Sequence, residues 1–118
     1  MKIFIIAGED SGDKLGSAIM DSLIAATDDS FNFVGIGGTG MTSRGLRSLF
    51  PMSELSVMGL IEIASQYTKL KKRINETVFS ILHEKPDILL TIDAPEFCFR
   101  VAKKIKLIHL KMQYHYLF

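Results

Sequence analysis

The chain has 118 residues, of which 47% are hydrophobic and 23% are charged, and its formal net charge is +1. This composition is typical of a soluble globular domain and excludes a disordered tail, and the length accommodates one domain with a hydrophobic core. The near-neutral charge gives no electrostatic case for nucleic acid as the main partner. A single cysteine, Cys98, excludes an internal disulfide framework and favours a reducing compartment.

The N-terminal third predicts a strand followed by a helix. Residues 2–7 are nearly all apolar, as in a strand covered on both faces. This run is too short for a signal peptide, and no stretch reaches the length of a transmembrane helix, so we expect a cytosolic chain. A helix is predicted from Asp13 to about Ala26, ending in the polar turn at 28–30. Its apolar residues at helical spacing are Leu15, Ile19, Leu23 and Ile24.

The middle of the chain predicts one strand and two helices. The strand is expected at 31–36, followed by a glycine cluster and a short helix near 39–46. Residues 49–59 are expected to be irregular. A long helix is predicted over about 60–83, and its expected buried stripe is Ile63, Tyr67, Leu70, Ile74, Val78 and Ile81.

The last third predicts a strand at 87–93 and a helix near 97–106. Residues 105–110 have the pattern of a further strand, whereas 111–118 predict no element. This order predicts an α/β fold, a three-layer Rossmann-like parallel sheet with right-handed βαβ connections. A sheet of three or four strands leaves an edge that needs cover, so we expect an interrupted domain.

The turn after the first strand combines glycines with carboxylates, in residues 7–13. Open α/β sheets bind ligands at such turns, usually by holding phosphate on backbone amides. Here the carboxylates of Glu9, Asp10 and Asp13 already lie at the N-terminus of the predicted helix, where the helix dipole favours an anion. We therefore predict a site that accepts hydrogen bonds or protons, and not a P-loop. The alternative is that Asp10 or Ser11 caps the helix and Asp13 complements its dipole.

The glycine cluster at 35–40 satisfies the G-x-G-x-x-G pattern of dinucleotide-binding turns. It does not follow the first strand, and the acidic residue about twenty positions on, Glu62, falls in a predicted helix. A close backbone approach to some ligand, or simple turn chemistry, is favoured over a dinucleotide site.

Asp93 ends the predicted strand 87–93, on the same sheet edge as Glu9, and Pro95 stiffens the following turn. Two carboxylates at the carboxyl ends of parallel strands can face one crevice. Such a pair can act as a general base and as a group that orients a hydroxyl. The alternative is that Asp93 caps the final helix.

A basic run on the long helix is predicted to be exposed: Lys69, Lys71, Lys72 and Arg73. Such a run is usually a solvated face, but beside the apolar tip Val57-Met58 it would also suit anionic lipid head groups. The histidines and Cys98 show no spacing for zinc.

Four motifs together resemble the lipid-A-disaccharide synthase family. They are Ala-Gly-Glu-x-Ser-Gly-Asp at 7–13, Phe-Val-Gly-Ile-Gly-Gly at 33–38, Ser-Leu-Phe-Pro-Met-Ser-Glu-Leu-Ser-Val-Met-Gly at 48–59 and Ile-Asp-Ala-Pro-Glu-Phe at 92–97. Their order is the family's, and they cover essentially residues 1–110. The resemblance implies the incomplete N-terminal, acceptor-side half of a GT-B glycosyltransferase. Residues 111–118 match nothing, and the C-terminal nucleotide-binding domain is expected to be absent.

The resemblance also implies an activity, a hexosyl transfer in lipid A biosynthesis. Such enzymes transfer 2,3-diacylglucosamine from its UDP donor to 2,3-diacylglucosamine 1-phosphate and release UDP, with inversion and without a metal or other cofactor. They work at the cytoplasmic face of the inner membrane of Gram-negative bacteria, as peripheral membrane proteins. Asp93 is implied as the general base on the acceptor 6-hydroxyl, and Glu9 as a group that binds or orients a sugar hydroxyl. The residues implied to bind substrate are Ser11, Gly12, Gly38, Met58 and Gly59.

Three functional readings stay open at this point. The first is an enzyme that is active only when a separate chain supplies the nucleotide-binding domain. The second is a catalytically inactive remnant, or a module that binds acylated sugar or membrane weakly. The third is a stand-alone flavodoxin-like or dinucleotide module, which would require tight binding of FMN or NAD.

Overall fold

A computed structural model describes residues 1–28, 30–60, 64–107 and 113–116, with backbone alone at 57–60, 64–66 and 113–116. The predicted features at Asp29, Glu62 and Ile63 lie outside the described residues or side chains. The elements are β1 Lys2–Ile6, α1 Asp10–Ala26, β2 Asn32–Ile36, α2 Thr39–Thr42, β3 Arg47–Ser48, α3 Ser53–Leu60, α4 Ala64–Glu84, β4 Ile88–Thr91, α5 Pro95–Leu107 and β5 Gln113–Tyr116.

These strands form one parallel sheet in the order β3-β2-β1-β4-β5. The α/β fold with a parallel sheet is therefore confirmed. Strand β1 lies at the centre, pairing Ile3–Ile6 with Phe33–Ile36 on one side and Ile88–Thr91 on the other. Because β2 and β4 flank β1 on opposite sides, right-handed connections place α1 on one face and α4 and α5 on the other. Within the described residues no helix is long and apolar enough to cross a membrane.

Helix α1 buries mainly small residues. Of its four apolar residues at helical spacing, Leu15 and Ile24 are exposed, whereas Ile19 and Leu23 are partly buried against the core. The buried face consists of Gly12, Asp13, Gly16, Ser17 and Met20. The close approach explains this choice, since a Cβ atom on Gly16 would lie 2.5 Å from Met41 Sδ and 3.1 Å from Ile92 Cδ1. Periodicity of apolar residues alone cannot show that glycines form the packing face.

The segment 49–59, predicted to be irregular, contains most of α3, and β3 precedes it. Its apolar residues have no helical period, so the pattern that identifies amphipathic helices was missing. The predicted short helix near 39–46 is confined to Thr39–Thr42. The predicted stripe of α4 is buried at Ile74, Val78 and Ile81, but Tyr67 is 57% exposed.

The C-terminal elements differ from the prediction at both ends. Helix α5 begins at Pro95, because proline suits the first turn of a helix, and it ends at Leu107. Residues 105–107, predicted as the start of a strand, are therefore helical, and 108–110 lie outside the described residues. Strand β5 pairs Gln113–Tyr116 with Ile88–Thr91, in a segment where no element was expected.

Candidate functional site

Asp93 meets the first turn of the chain at the carboxyl edge of the sheet. It follows β4 and its Oδ1 atom accepts a hydrogen bond from the backbone amide of Gly8, which follows β1. The two residues meet because β1 and β4 are adjacent parallel strands. Helix α5 starts only at Pro95, after Ala94 with a φ of 53°. The carboxylate is thus bound across the sheet edge, which argues against the alternative that it caps this helix.

The second oxygen of Asp93 is buried against α1. Within the described residues Oδ2 has no hydrogen-bond partner. A Cβ atom on Gly12 would lie 2.8 Å from Asp93 Cγ, so only glycine leaves room for the carboxylate here. Burial raises the pKa of Asp93, and the nearby charge of Glu9 raises it further, whereas the amides of Gly8 and Glu9 act in the opposite direction. The carboxyl group consequently holds a proton more tightly than an exposed aspartate does.

Glu9 lies beside this carboxylate with its own side chain free of helix capping. It is the N-cap residue of α1 with extended backbone (φ −139°, ψ 163°), and its side chain makes no capping hydrogen bond. Its side chain is exposed. Asp10 and Ser11 are exposed and already belong to the helix, so the alternative that one of them is its cap is wrong. An exposed carboxylate near Asp93 can accept a hydrogen bond from a hydroxyl of a ligand.

Asp13 has a role that the sequence did not reveal. Its side chain is buried, and Oδ1 accepts from the amides of Gly38 (2.8 Å) and Met41 (3.0 Å). Oδ2 accepts from the amide of Gly40 at 2.8 Å. The carboxylate thus binds the glycine cluster as a phosphate would. The amides that a dinucleotide would need are already bound to Asp13, which argues against the hypothesis of a dinucleotide-binding module.

Helix α3 forms a further wall of the site through Ser56, whose hydroxyl donates to the carbonyl of Gly8. Glu54 anchors the same helix to α4, with ion pairs to Lys69 at 3.0 Å and Arg73 at 2.7 Å. These two cations lower the pKa of Glu54. Neither Ser56 nor Glu54 was predicted as a site residue: their segment carried the family resemblance, but a lone serine and glutamate in it indicate no particular chemistry.

The basic run on α4 is only partly a solvated face. Arg73 is 20% exposed in its side chain and pairs with Glu54 and, at 2.7 Å, with Glu76. Its guanidinium also lies 4.7 Å from the centre of the Phe50 ring, within cation–π range. Arg73 therefore joins α3, α4 and the loop before α3, whereas Lys71 and Lys72 are exposed.

The structure brings some of the predicted site residues together and separates others. Glu9, Gly12 and Asp93 meet at the sheet edge, and Ser11 is exposed on the adjoining turn of α1. Gly38 follows the neighbouring strand β2 at the same carboxyl edge, and its amide is bound to Asp13. Met58 and Gly59 belong to α3, but their side chains lie outside the described set.

Two further features concern ligands. In the parts of the chain that the structure describes, no group of three His, Cys, Asp or Glu side chains is placed to hold a metal ion. An open groove of about 570 Å³ lies between α4 and α5, away from Asp93. Its lining combines apolar and basic side chains: Tyr67, Leu70, Lys71, Ile74, Glu96, Phe99, Arg100, Lys103, Lys104 and Leu107.

Comparison with known proteins gives one consistent result. The family model described as lipid-A-disaccharide synthetase matches residues 3–118. A lipid-A-disaccharide synthase from Ruegeria pomeroyi is 50% identical over 106 residues, 90% of this chain and 26% of that protein. The one from Granulibacter bethesdensis is 47% identical over 97% of this chain and 28% of its own length. The one from Rhodospirillum centenum is 44% identical over 88% of this chain and 26% of its own length.

The chain thus spans about a quarter of the length of the curated relatives it matches, as expected for part of one half of a GT-B glycosyltransferase. The motifs that suggested the family lie within the matched range, and the Asp93 site is formed by two of them. The chain belongs to the lipid-A-disaccharide synthase family, whose members are glycosyltransferases of lipid A biosynthesis.

Proposed function

We propose that this chain forms the acceptor side of a site for lipid A disaccharide synthesis. In this reaction 2,3-diacylglucosamine passes from its UDP donor to 2,3-diacylglucosamine 1-phosphate, and UDP is released. The observation that carries the proposal is the Asp93 carboxylate, half-buried at the carboxyl edge of the sheet beside Glu9. Ligands of open α/β sheets bind at this edge.

Asp93 acts in the proposal as the general base. It takes the proton of the acceptor 6-hydroxyl while that oxygen attacks the anomeric carbon of the donor, and the bond from this carbon to UDP breaks with inversion. A raised pKa suits this task, because proton affinity increases as the pKa of the base approaches the working pH. Glu9 accepts a hydrogen bond from a sugar hydroxyl and so orients the acceptor.

The remaining predicted residues have supporting roles. Ser11 and Gly12 line the crevice next to Asp93, and Gly38 borders it from the glycine cluster. Met58 and Gly59 contact the acceptor on the membrane-proximal side. The UDP donor is held by a nucleotide-binding region outside these 118 residues, on this polypeptide or on a separate chain, because holding both reactants in one geometry is worth about 7–11 kcal/mol of barrier.

The test is a turnover assay with radiolabelled acceptor and the UDP donor. The chain is assayed alone and mixed with the remaining C-terminal region of the Granulibacter bethesdensis relative. We expect disaccharide only in the mixture, and its loss with Asp93→Asn. Asp10→Asn is the matched control, since Asp10 is an exposed carboxylate in the same turn. Turnover that survives Asp93→Asn removes Asp93 as the base, and a mixture without turnover favours the inactive remnant.

A second candidate function is binding to an anionic membrane or an acylated sugar, and the groove between α4 and α5 favours it. Phe99 and Leu107 are 66% and 72% exposed beside Arg100 and Lys103. Apolar side chains flanked by cations suit lipid surfaces, at the cytoplasmic face of the inner membrane in this proposal.

Co-sedimentation with vesicles tests this candidate. We expect binding to vesicles that contain phosphatidylglycerol and weaker binding to pure phosphatidylcholine. Phe99→Ser should reduce binding, whereas Ile24→Ser should not, because Ile24 is 51% exposed on α1 at the opposite face of the sheet. Equal loss in both variants would contradict a specific surface.

A further inference from the structure

The backbone of Gly8 is held by two other parts of the chain. On one side, Ser56 of α3 donates a hydrogen bond to the Gly8 carbonyl. On the other side, the Gly8 amide donates to Asp93 Oδ1. Ser56 is 48 residues away from Gly8 in the sequence, and Asp93 is 85 residues away. Three distant segments of the chain therefore meet at this one turn.

The backbone of Gly8 links these two contacts. Its carbonyl belongs to the Gly8–Glu9 peptide and its amide to the Ala7–Gly8 peptide, and because both peptides are rigid, only the φ and ψ angles of Gly8 lie between them. A hydrogen bond that fixes the carbonyl therefore limits the directions in which the amide can point. This amide is the one that donates to Asp93 Oδ1 and favours the ionised form of the carboxyl group.

Gly8 makes such a restraint necessary. A Cβ atom at this position would lie 2.9 Å from Ala94 Cβ and 3.4 Å from Leu55 Cβ, so the site leaves no space for a side chain. Glycine populates more backbone conformations than any other residue. The orientation of its peptide must therefore be set by hydrogen bonds from outside the turn.

We propose that Ser56 is a positioning residue for Asp93. Its hydroxyl holds the Gly8 carbonyl and so helps to keep the Gly8 amide directed at the Asp93 carboxylate. Helix α3 is itself held to α4 by the ion pairs of Glu54, and these contacts restrain the position of Ser56.

What Ser56 does for sugar transfer rests on the proposed function, but its effect on Asp93 can be tested without an activity assay. The charge that acts on Asp93 is that of Glu9 from the α1 turn, and the Cys98 thiol of α5 donates a hydrogen bond to the Asp93 carbonyl. Among the other acidic side chains nearby, Asp13 binds the glycine cluster, Glu54 pairs with Lys69 and Arg73, and Glu96 pairs with Arg100, whereas Asp10 is exposed.

The experiment is an NMR titration of the 118-residue chain with ¹³C-labelled aspartate, in which Asp93→Asn assigns the Asp93 signal. In Ser56→Ala we expect the midpoint of Asp93 to rise by about 0.5–1 pH unit, since one hydrogen bond to the charged form is weakened. Ser56→Thr keeps a hydroxyl and should restore the midpoint. Ser53→Ala, on an exposed position of the same helix, should leave it unchanged.

A measurement on the unaltered chain covers the case in which Ser56→Ala does not fold. The ¹⁵N shift of the Gly8 amide should titrate with the same midpoint as the Asp93 carboxyl. A Gly8 amide that does not respond to Asp93, or an Asp93 midpoint that is the same in Ser56→Ala and in the unaltered chain, overturns the proposal. Either result would leave the turnover test of Asp93→Asn unaffected, so the two proposals fail separately.

Discussion

Replacing Asp13 by alanine should destabilise the fold strongly, although the residue lies in an acidic turn that sequence patterns assign to helix capping. Its buried carboxylate accepts three amide hydrogen bonds, from Gly38 and Gly40 at 2.8 Å and from Met41 at 3.0 Å. Each hydrogen bond to a charged group is worth about 1.5–3 kcal/mol. The amides of Gly38 and Gly40 are partly accessible and can bind water instead, so we expect a loss of about 3–5 kcal/mol, below the full sum.

Urea unfolding followed by circular dichroism measures this loss as a change in the free energy of unfolding. Asp13→Asn should fall between the alanine variant and the unaltered chain, because the amide keeps one acceptor oxygen but turns a donor toward an N–H group. Asp10→Ala is the control, an exposed carboxylate in the same helical turn, with an expected cost of about 0.3–1 kcal/mol. A loss below about 1 kcal/mol in Asp13→Ala would refute the view that this carboxylate organises the glycine cluster.

Three further outcomes are expected. Because burial raises the pKa of Asp93 in the folded chain, its contribution to stability is greatest at low pH and decreases as the pH rises through the folded pKa. Asp93→Asn should therefore gain thermal stability relative to the unaltered chain as the pH rises above the ordinary aspartate pKa of about 4, and a difference independent of pH would contradict this sign. Gly12→Ala should cost about 1–3 kcal/mol in urea unfolding, because its Cβ displaces the Asp93 carboxylate, whereas Ser11→Ala on the exposed neighbouring position should be neutral. Burial raises the pKa of Cys98 to about 12, so the thiol should not react with Ellman's reagent at pH 8 until the chain is unfolded, and rapid reaction of the folded chain would show that it is accessible.

The fold was predictable because its strands are continuous apolar runs. Strands 2–7, 31–36 and 87–93 were expected and correspond to β1, β2 and β4. The elements that were missed lack such runs. Helix α3 has apolar residues without a helical period, and β3 contains two residues. Both are defined by tertiary contacts, as when Ser56 bonds to Gly8.

The candidate site was predictable where a carboxylate follows a strand, because the ends of parallel strands meet at one edge. This rule correctly brought Glu9 and Asp93 together. It could not show that Gly12 provides space for Asp93, or that Asp13 binds the glycine cluster, since both depend on how closely α1 approaches its neighbours. The resemblance supplied the roles of individual residues, and the geometry supplied Ser56.

The central position of β1 has a consequence for the order in which the chain folds during synthesis. Although β1 is made first, one of its edges is filled only by β4, which ends at Thr91. The contacts between Lys2 and Asp87 and between Gly8 and Asp93 likewise join residues 85 positions apart. One edge of the apolar strand β1 therefore stays unpaired until most of these 118 residues have been made. During that interval the edge can pair with other nascent chains.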